Sequence, residues 1–586
     1  MKSYHIFYRT FLIVLTTFIF LSFSSIVVAQ KGKIVATIEF DPEIDGFGFE
    51  NYVNKHKWQD DLDASDMITM FGVAPVCVTG NSLSTCKVKE PADNWRLKTL
   101  KEMKDGHCEG MAVTCFLFFE HREFKNKWKD PANFQKGTES VFDLKFPNQT
   151  IENYIAYFWA TQTFPEVYKH KTPAEKSGPL GIVKTLISSM NEENGELYTV
   201  QICKYEDGDF KDCHAVAPIA VEDFGTYYNI HVYDNNNPGA TRFIKVLKNA
   251  PQTWEYNAAT NPDEEEDLYT GNLSTKSFNI VPLSSRLYGT KYRAPFATQK
   301  ERNSESATSG SAGGETVEFF VSGDADMLVT AGDGKRVGYD WTKKQTVNEI
   351  SGANLNYIST FADDDMPPII NLPYQPNAKP FTVALSGKSL KKEDIVDLMF
   401  TGPGFSVGFD GVYLDPNEVL TFQISPDGTH LSFTSSTDGE TPELYFTYNA
   451  ENGASYQIEV DGVEIDGGKT LFADVDLKAG KLHFRDNDGR HEKYDIDFER
   501  ILPDGTEQSF ETDDIDFGEA DSYEMDFSNW DGKSPVCFRG DDDGDGFADE
   551  ECEPQPNEDD GLDMDEELES VNSQPRFLPS LAWLMR

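Results

Sequence analysis

The spacing of the eight cysteines constrains this 586-residue chain more than any other feature of its sequence. Six of them form three short-range pairs around turn-forming residues: Cys77-Cys86, Cys203-Cys213 and Cys537-Cys552. Three local disulfides are therefore expected in an exported chain. Cys108 and Cys115 remain, and on one predicted helix their Cα atoms would lie about 10 Å apart, beyond disulfide reach. At least one thiol is expected to stay free.

The beginning of the chain has the features of an export signal. A charged start precedes an apolar run from Phe11 to Val28, and Val27-Val28-Ala29 supplies the small residues that signal peptidase requires. Residues 1–29 are predicted to be a signal peptide; the alternative is an uncleaved anchor, because the run is nearly long enough to span a bilayer. No membrane span is expected after signal removal, and the predicted location is extracellular, with the periplasm or cell surface as alternatives.

The net charge of −48 restricts the partners of this protein. A polyanion gains nothing from meeting phosphates, so nucleic acid is excluded as a partner. The surface suits divalent cations or cationic partners, although solubility outside the cell explains much of the same excess.

The chain is too long for one hydrophobic core, which predicts a multidomain protein. Helical patterns followed by alternating strand patterns indicate an α+β domain at 31–295, and short strands between Gly, Asp and Asn turns indicate all-β, sandwich-like modules further on. The predicted segments after the first domain are a linker at 296–314, β-rich modules at 315–400 and 401–531, a calcium-binding loop at 532–553 and an acidic, disordered tail at 554–586.

Three side chains in the first domain have the types that covalent acyl transfer requires. A cysteine hydrolase needs a thiolate, a histidine beside it and a third group that orients the histidine. Cys108 begins a predicted helix from 108 to 124, and a helix N-terminus favours a thiolate. His214 opens a predicted strand, Asp234 ends the next one, and Gly110 is expected to leave room for a substrate.

Each of these residues also has a purely structural interpretation. Cys108 can be a core thiol, His214 a hydrogen-bonded strand histidine and Asp234 a turn former. Together they predict peptide or amide hydrolysis through an acyl-enzyme, without a catalytic cofactor.

The same segments resemble a known family. Gly106-His107-Cys108-Glu109-Gly110-Met111 resembles the Gly-x-Cys-x-Gly-Met start of bacterial exported members of the papain-like cysteine peptidase superfamily, and His214-Ala215-Val216 resembles their second motif. The resemblance implies a papain-like fold for 31–295 and a protein or peptide-like substrate. It also implies that Cys108 is the nucleophile, that His214 is the general base and acid, and that Asp234, or Asn235 as the alternative, orients the histidine.

A second motif lies near the C-terminus, between Cys537 and Cys552. Oxygen ligands with calcium-loop spacing are offered by Asp541, Asp543, Asp545, Asp549 and the carbonyl of Phe547, with Gly546 at the turn. The loop resembles a single thrombospondin type-3 repeat, which implies a structural Ca²⁺ ion. A solvated acidic run is the plain alternative.

Two functions of different classes fit these features. The first is a secreted cysteine peptidase or related amide hydrolase with β-rich accessory binding domains. The second is a catalytically inactive, calcium-stiffened extracellular adhesion or binding protein whose β modules take a cell-surface or matrix ligand. Acyl transfer to an amine also stays open.

Overall fold

A computed structural model describes most residues of the chain. These are 31–53, 58–103, 106–122, 130–249, 251–259, 266–287, 289, 292–305, 315–359, 367–439, 441–486, 493–516, 522–541 and 553–555. They form a multidomain protein with a helical N-terminal part and antiparallel sheets in the rest. Among all the described residues, no helix is long and apolar enough to cross a membrane.

The described residues contain eight α-helices, all before residue 306: Ala64–Phe71 (α1), Val73–Val76 (α2), Glu90–Glu102 (α3), Cys108–Phe119 (α4), Gln149–Ala160 (α5), Pro165–Tyr168 (α6), Lys171–Met190 (α7) and Gln299–Glu305 (α8). Helix α4 is apolar around its circumference and is buried along its length until Phe119. The helix predicted to reach Phe124 ends at Phe119, because the charged residues that follow are exposed and His121 takes a positive φ of 56°.

Ten strands belong to the N-terminal part: Lys33–Thr37 (β1), Cys77–Thr79 (β2), Lys87–Val88 (β3), Tyr198–Glu206 (β4), Asp209–Asp223 (β5), Tyr227–Tyr233 (β6), Thr241–Leu247 (β7), Thr253–Ala258 (β8), Asp267–Asn272 (β9) and Phe278–Pro282 (β10). Eight of them form one antiparallel sheet in the order β10-β4-β5-β6-β7-β8-β9, with β1 also paired to β5. Lys204 of β4 forms an ion pair with Asp267 of β9, so the sheet curls until its last strand approaches its second.

Twenty strands follow: Thr316–Ser322 (β11), Asp326–Thr330 (β12), Arg336–Asp340 (β13), Gln345–Asn348 (β14), Asn354–Asn356 (β15), Ile369–Pro373 (β16), Phe381–Ser386 (β17), Asp394–Gly402 (β18), Phe405–Leu414 (β19), Val419–Ile424 (β20), His430–Thr434 (β21), Glu443–Asn449 (β22), Ser455–Asp461 (β23), Thr470–Asp476 (β24), Lys481–Asp486 (β25), Lys493–Ile501 (β26), Glu507–Asp516 (β27), Ser522–Asp526 (β28), Val536–Asp541 (β29) and Glu553–Gln555 (β30). They form a nine-stranded sheet, β15-β16-β11-β18-β19-β22-β23-β26-β27, and an eleven-stranded sheet, β14-β13-β12-β17-β20-β21-β24-β25-β28-β29-β30.

These two sheets pack face to face as a β-sandwich. Phe409 of the nine-stranded sheet lies 5.0 Å from Phe422 of the other, between ring centroids, and Phe319 lies 5.4 Å from Phe381 in the same way. One hydrophobic core extends from Val317 to Phe538. The boundary expected at 400/401 falls inside β18, and both sheets contain strands from either side, so the two sequence segments share a single core.

The described residues of the segments at either end of the sandwich also contain regular secondary structure. The linker at 296–314 begins with Phe296, which is fully buried against Phe71 and Trp95, and it contains α8. At the other end, β29 and β30 belong to the eleven-stranded sheet, so strands flank the predicted calcium loop.

The helical part and the sandwich share an interface that combines apolar packing, in which Phe320, Met399 and Tyr445 join the core of the helical part, with polar contacts. Helix α3 lies across the outer face of the nine-stranded sheet, where Lys98 meets Asp410 and Lys101 meets Asp397. At the start of the same helix, the backbone N–H of Glu90 donates to Ser455 Oγ at 2.8 Å.

The cysteines pair largely as predicted. The described disulfides are Cys77–Cys86 and Cys203–Cys213, which are compatible with an extracellular protein. Cys537 is also disulfide-bonded, whereas its predicted partner Cys552 lies outside the described residues.

Candidate functional site

Cys108 is the first residue of α4, and the chain before it is held tightly. Gly106 has a φ of 152°, and His107 leaves the helical conformation at the cap position. The backbone N–H of His107 donates to Asn51 Oδ1 at 2.8 Å. The Cys108 thiol is free of any disulfide and completely buried. This sulfur belongs to the first residue of the helix, where backbone N–H groups have no partner within the helix and the helix dipole favours a negative charge.

His107 is next to Cys108, but its ring is held by Tyr52. Its Nδ1–H donates to the carbonyl of Tyr52 at 2.7 Å, and its ring stacks on the Tyr52 ring with centroids 4.1 Å apart. Burial lowers the pKa of His107 to about 4, so the imidazole is neutral at physiological pH. We assign His107 a positioning role at the start of α4.

His214 lies on β5 and is completely buried beside Cys108. Its Nε2 donates to Asp234 Oδ1 at 2.9 Å, whereas its Nδ1 has no hydrogen-bond partner among the described residues. Burial alone would lower the pKa of His214, but the charge and hydrogen bond of Asp234, together with Cys108, raise it to about 10. The raised pKa favours the protonated imidazole, and the Cys108 thiol is one of the groups beside the ring that favour it.

Asp234 follows β6, and its carboxylate accepts hydrogen bonds from three donors. Its Oδ1 accepts from His214 Nε2 and from the backbone N–H of Asn236, each at 2.9 Å, and its Oδ2 accepts from the hydroxyl of Tyr256 at 2.5 Å. Burial would raise the pKa of Asp234, but these partners hold it below its ordinary value. The carboxylate is charged and paired with the imidazolium.

Asn235, the alternative third residue, does not contact the imidazole. Its Nδ2 donates to the carbonyl of Cys108 at 2.9 Å and to that of Ala215 at 3.2 Å. Asn235 therefore ties the first turn of α4 to β5, and Asp234 alone orients His214.

Glu109, the residue after Cys108, is also held by a buried charge pair. Glu109 Oε1 accepts from Arg286 Nη2 at 2.7 Å and from Thr199 Oγ1 at 3.0 Å. All three side chains are at most 3% exposed. This network anchors the first turn of α4 to β4 and to the segment after β10.

Two expectations about α4 have different outcomes. Cys115 is buried, its Sγ donates to the Ala112 carbonyl, and burial raises the pKa of its thiol, so it packs as expected. Gly110 does not make room for a substrate: a Cβ at this position would lie 2.3 Å from the carbonyl oxygen of Ile155. Gly110 instead lets α4 approach α5 closely.

The structure brings Cys108, His214 and Asp234 together and adds partners that the sequence did not indicate. Tyr256, Asn51 and Arg286 are remote from the three residues in sequence, and no local motif marks them. In the sequence, only their residue types could have indicated such a role, because aromatic hydroxyl, amide and guanidinium groups are rarely buried without a partner.

The predicted calcium loop lies largely outside the described residues. This applies to Asp543, Asp545, Phe547 and Asp549, whereas the backbone of Asp541 ends β29. Among the described residues, no group of three or more His, Cys, Asp or Glu side chains is arranged to hold a metal ion.

Comparison with known proteins gives no relative: no protein-family model, no curated protein and no solved structure matches this chain.

Replacing Tyr256 with phenylalanine should destabilise the protein by about 1–3 kcal/mol, because it removes a hydrogen bond to a buried carboxylate. The same change should lower any activity of the site modestly, since His214 Nε2 keeps its bond to Asp234. Urea unfolding measures the loss. Tyr227→Phe, on the partly exposed end of β6, is the control and should change stability by less than about 0.5 kcal/mol. Equal effects of the two changes would contradict the assigned role of Tyr256.

Proposed function

We propose that this protein is a cysteine hydrolase of the papain-like type, which cleaves peptide or related amide bonds through an acyl-enzyme. The observation that carries the proposal is the buried ion pair of His214 and Asp234, placed beside the free thiol of Cys108. A charged pair in a protein interior is costly unless it is used or fully compensated. An imidazole that is held by a carboxylate and lies beside a thiol is the arrangement that nucleophilic catalysis by cysteine requires.

Each group would have one task in the reaction. Cys108 Sγ attacks the carbonyl carbon as the thiolate of a thiolate–imidazolium pair, the C–N bond breaks, and His214 gives its Nδ1 proton to the leaving amine. Water then attacks the thioester carbonyl while the same nitrogen takes a proton from the water, the C–S bond breaks, and the acid leaves with the thiolate and the imidazolium restored. Asp234 keeps the ring oriented and charged. The backbone N–H of Cys108 is a candidate donor to the oxyanion.

The burial of the site favours a second candidate. Cys108 and His214 are completely buried and Asp234 is 1% exposed, so a substrate reaches the sulfur only if the surrounding chain moves. A catalytically inactive binding protein with this domain as a rigid support needs no such movement. In that case the β-sandwich would take the cell-surface or matrix ligand.

Labelling with a small and a peptide-sized thiol electrophile tests the proposal against this alternative. We expect iodoacetamide and a peptidyl chloromethyl ketone to modify the native protein at Cys108, mapped by peptide mass spectrometry. Cys115→Ala is the matched control, a buried cysteine of the same helix, and should label like the parent. A native protein that takes neither reagent at Cys108, but takes iodoacetamide after unfolding, would reject the hydrolase and support the binding protein.

We also propose that the loop from Asp541 to Asp549 binds a structural Ca²⁺ ion in an exported protein. The support is its ligand spacing, the disulfide at Cys537 and the strands on both sides. Calorimetric titration of the full chain should show calcium binding that Asp543→Ala and Asp545→Ala weaken. Equal binding by parent and variants would remove this proposal.

A further inference from the structure

One lysine–aspartate contact joins the helical part to the sandwich across most of the chain. Lys98 Nζ of α3 donates to Asp410 Oδ2 of β19, and the two residues are 312 positions apart in sequence. The side chains are only 14% and 21% exposed. The ammonium also lies over the ring of Tyr445, 4.7 Å from its centroid. The amine and the carboxyl group are thus held together in a largely dry, aromatic environment.

A third ionisable group stands next to this contact. Glu443 of β22 is directly opposite Asp410 in the sheet, and directly opposed residues point their side chains to the same face. Burial, together with the charge of Asp410, raises the pKa of Glu443 to about 7. Glu443 therefore both holds and gives up a proton readily near neutral pH.

The surroundings of Asp410 favour the protonated, neutral form of its carboxyl group. Burial raises its pKa, with Lys98 opposing and Asp397 adding to the rise. Its second oxygen, Oδ1, has no hydrogen-bond partner among the described residues. A protonated carboxyl group with an unbonded oxygen is the electrophile that an amine attacks when an amide forms.

The neighbouring pair lacks these features. Lys101 donates to Asp397 Oδ2, and Asp397 Oδ1 accepts from the backbone N–H of Gly411 at 3.0 Å. Burial opposes the charge of Asp397, but Lys101, Lys98 and these hydrogen bonds hold its pKa below the ordinary value. Asp397 therefore stays a carboxylate, and its pair with Lys101 stays an ion pair.

We propose that Lys98 and Asp410 condense into an intramolecular amide bond, with Glu443 as the proton relay. A proton first passes from the ammonium to the carboxylate, which leaves an amine and a carboxylic acid. Nζ then attacks Cγ, and Glu443 gives its proton to the departing hydroxyl group and takes one from the nitrogen. The N–C bond forms, one C–O bond breaks, and one water molecule leaves. No oxidant or other reagent is needed.

The bond would fasten the helix that precedes the nucleophile to the sandwich. It is independent of the proposed hydrolase, because it uses none of the groups around Cys108. Its consequence is mechanical, since the two parts could no longer separate when the chain is pulled or partly unfolded.

Mass spectrometry of the purified full chain tests the bond directly. After reduction of the disulfides, the intact mass should be one water molecule below the mass calculated for the sequence that starts at the N-terminus of the purified chain. A tryptic digest should contain a branched peptide that joins Lys98 to Asp410, with no cleavage after Lys98. A full intact mass, cleavage after Lys98, or loss of water at any other position would overturn the proposal.

Three variants separate the roles. Lys98→Met should have the full mass, as should Glu443→Gln, which keeps the shape of the relay but not its acidity. Lys101→Met is the matched control on the same helix and should still lack one water molecule. A branched peptide that persists in Glu443→Gln would remove the relay, and a Lys101–Asp397 branch would reverse the assignment. If a variant fails to fold, the peptide map of the parent chain decides by itself.

Discussion

Replacing Cys108 with alanine should abolish peptide or amide hydrolysis by this protein, with a loss of about 10⁴-fold or more in kcat/KM. The reason is that the acyl group has no other acceptor: the remaining buried thiol, Cys115, bonds to the Ala112 carbonyl and lies deeper in the helix. Hydrolysis of a panel of fluorogenic peptides and simple amides measures the loss.

The control for this experiment is already in the same helix. Cys115→Ala removes a buried thiol of equal size and should leave kcat/KM within about twofold, although the small cavity should cost some stability. Circular dichroism of both variants checks that the fold is retained. Hydrolysis by Cys108→Ala at the rate of the parent would show that the activity belongs to another site.

Replacing Asp234 with alanine should have the second largest effect, on both stability and activity. It leaves the His214 imidazolium and the Tyr256 hydroxyl buried without their common acceptor. Breaking a buried ion pair from one side costs about 3–5 kcal/mol, and loss of the orienting group should lower kcat by about 10²- to 10⁴-fold. Denaturant unfolding and hydrolysis rates measure the two effects.

The pH dependence of this destabilisation has a definite sign. The pKa of His214 is raised from 6.5 to about 10 in the folded protein, so its contribution is complete below about pH 6.5 and is lost as the pH rises through about 10. The pKa of Asp234 is lowered, so its contribution is present above about pH 4 and is lost as the pH falls through the lowered value. The difference in unfolding free energy between parent and Asp234→Ala should therefore be largest between these limits.

Two further substitutions serve as controls for the Asp234→Ala variant. Asp223→Ala removes a carboxylate that pairs with Lys248 near the surface, and it should cost less than about 1 kcal/mol. Asp234→Asn keeps an oxygen for His214 Nε2 but not the charge, so its effect should lie between those of Asp223→Ala and Asp234→Ala. NMR titration should show the pKa of His214 falling toward its ordinary value in Asp234→Asn. A flat pH dependence would contradict the ion pair.

The sequence predicted the local parts of the site well, because local rules decide them. The sequence predicted adjacent strands here, with His214 opening the first and Asp234 ending the second; the strands exist, but β5 already begins at Asp209 and β6 ends at Tyr233. The apolar run after Cys108 indicated a buried helix, and a helix start is a local feature. The choice between Asp234 and Asn235 could not be made, because it depends on which side chain turns to the sheet and which to the helix.

Contacts between distant segments could not be predicted from the sequence. Tyr256 reaches Asp234 only because the sheet curls, and Arg286 reaches Glu109 only because the chain returns after β10. Gly110 was assigned to a substrate, whereas it serves the contact between two helices. A glycine beside a reactive group fits both roles, because a substrate and a neighbouring helix each need the space that a side chain would fill.

Local sequence patterns also could not show whether the β-rich part has one hydrophobic core or two. The boundary expected at 400/401 falls inside β18, and Pro403 and Gly404, the latter at a φ of 90°, form the turn from β18 to β19. Gly and Pro punctuate hairpins and domain boundaries alike. Only the packing of Phe409 and its neighbours between the two sheets decides that one core is present.

A crystal structure of the protein with an unmodified thiol tests the central claim most directly, through the distance between Cys108 Sγ and His214 Nδ1. We expect this distance to be about 3.5–4 Å, with Asp234 bonded to the opposite nitrogen of the ring. A sulfur tied into a disulfide, or an imidazole whose Nδ1 bonds to another group instead of facing the thiol, would contradict the account.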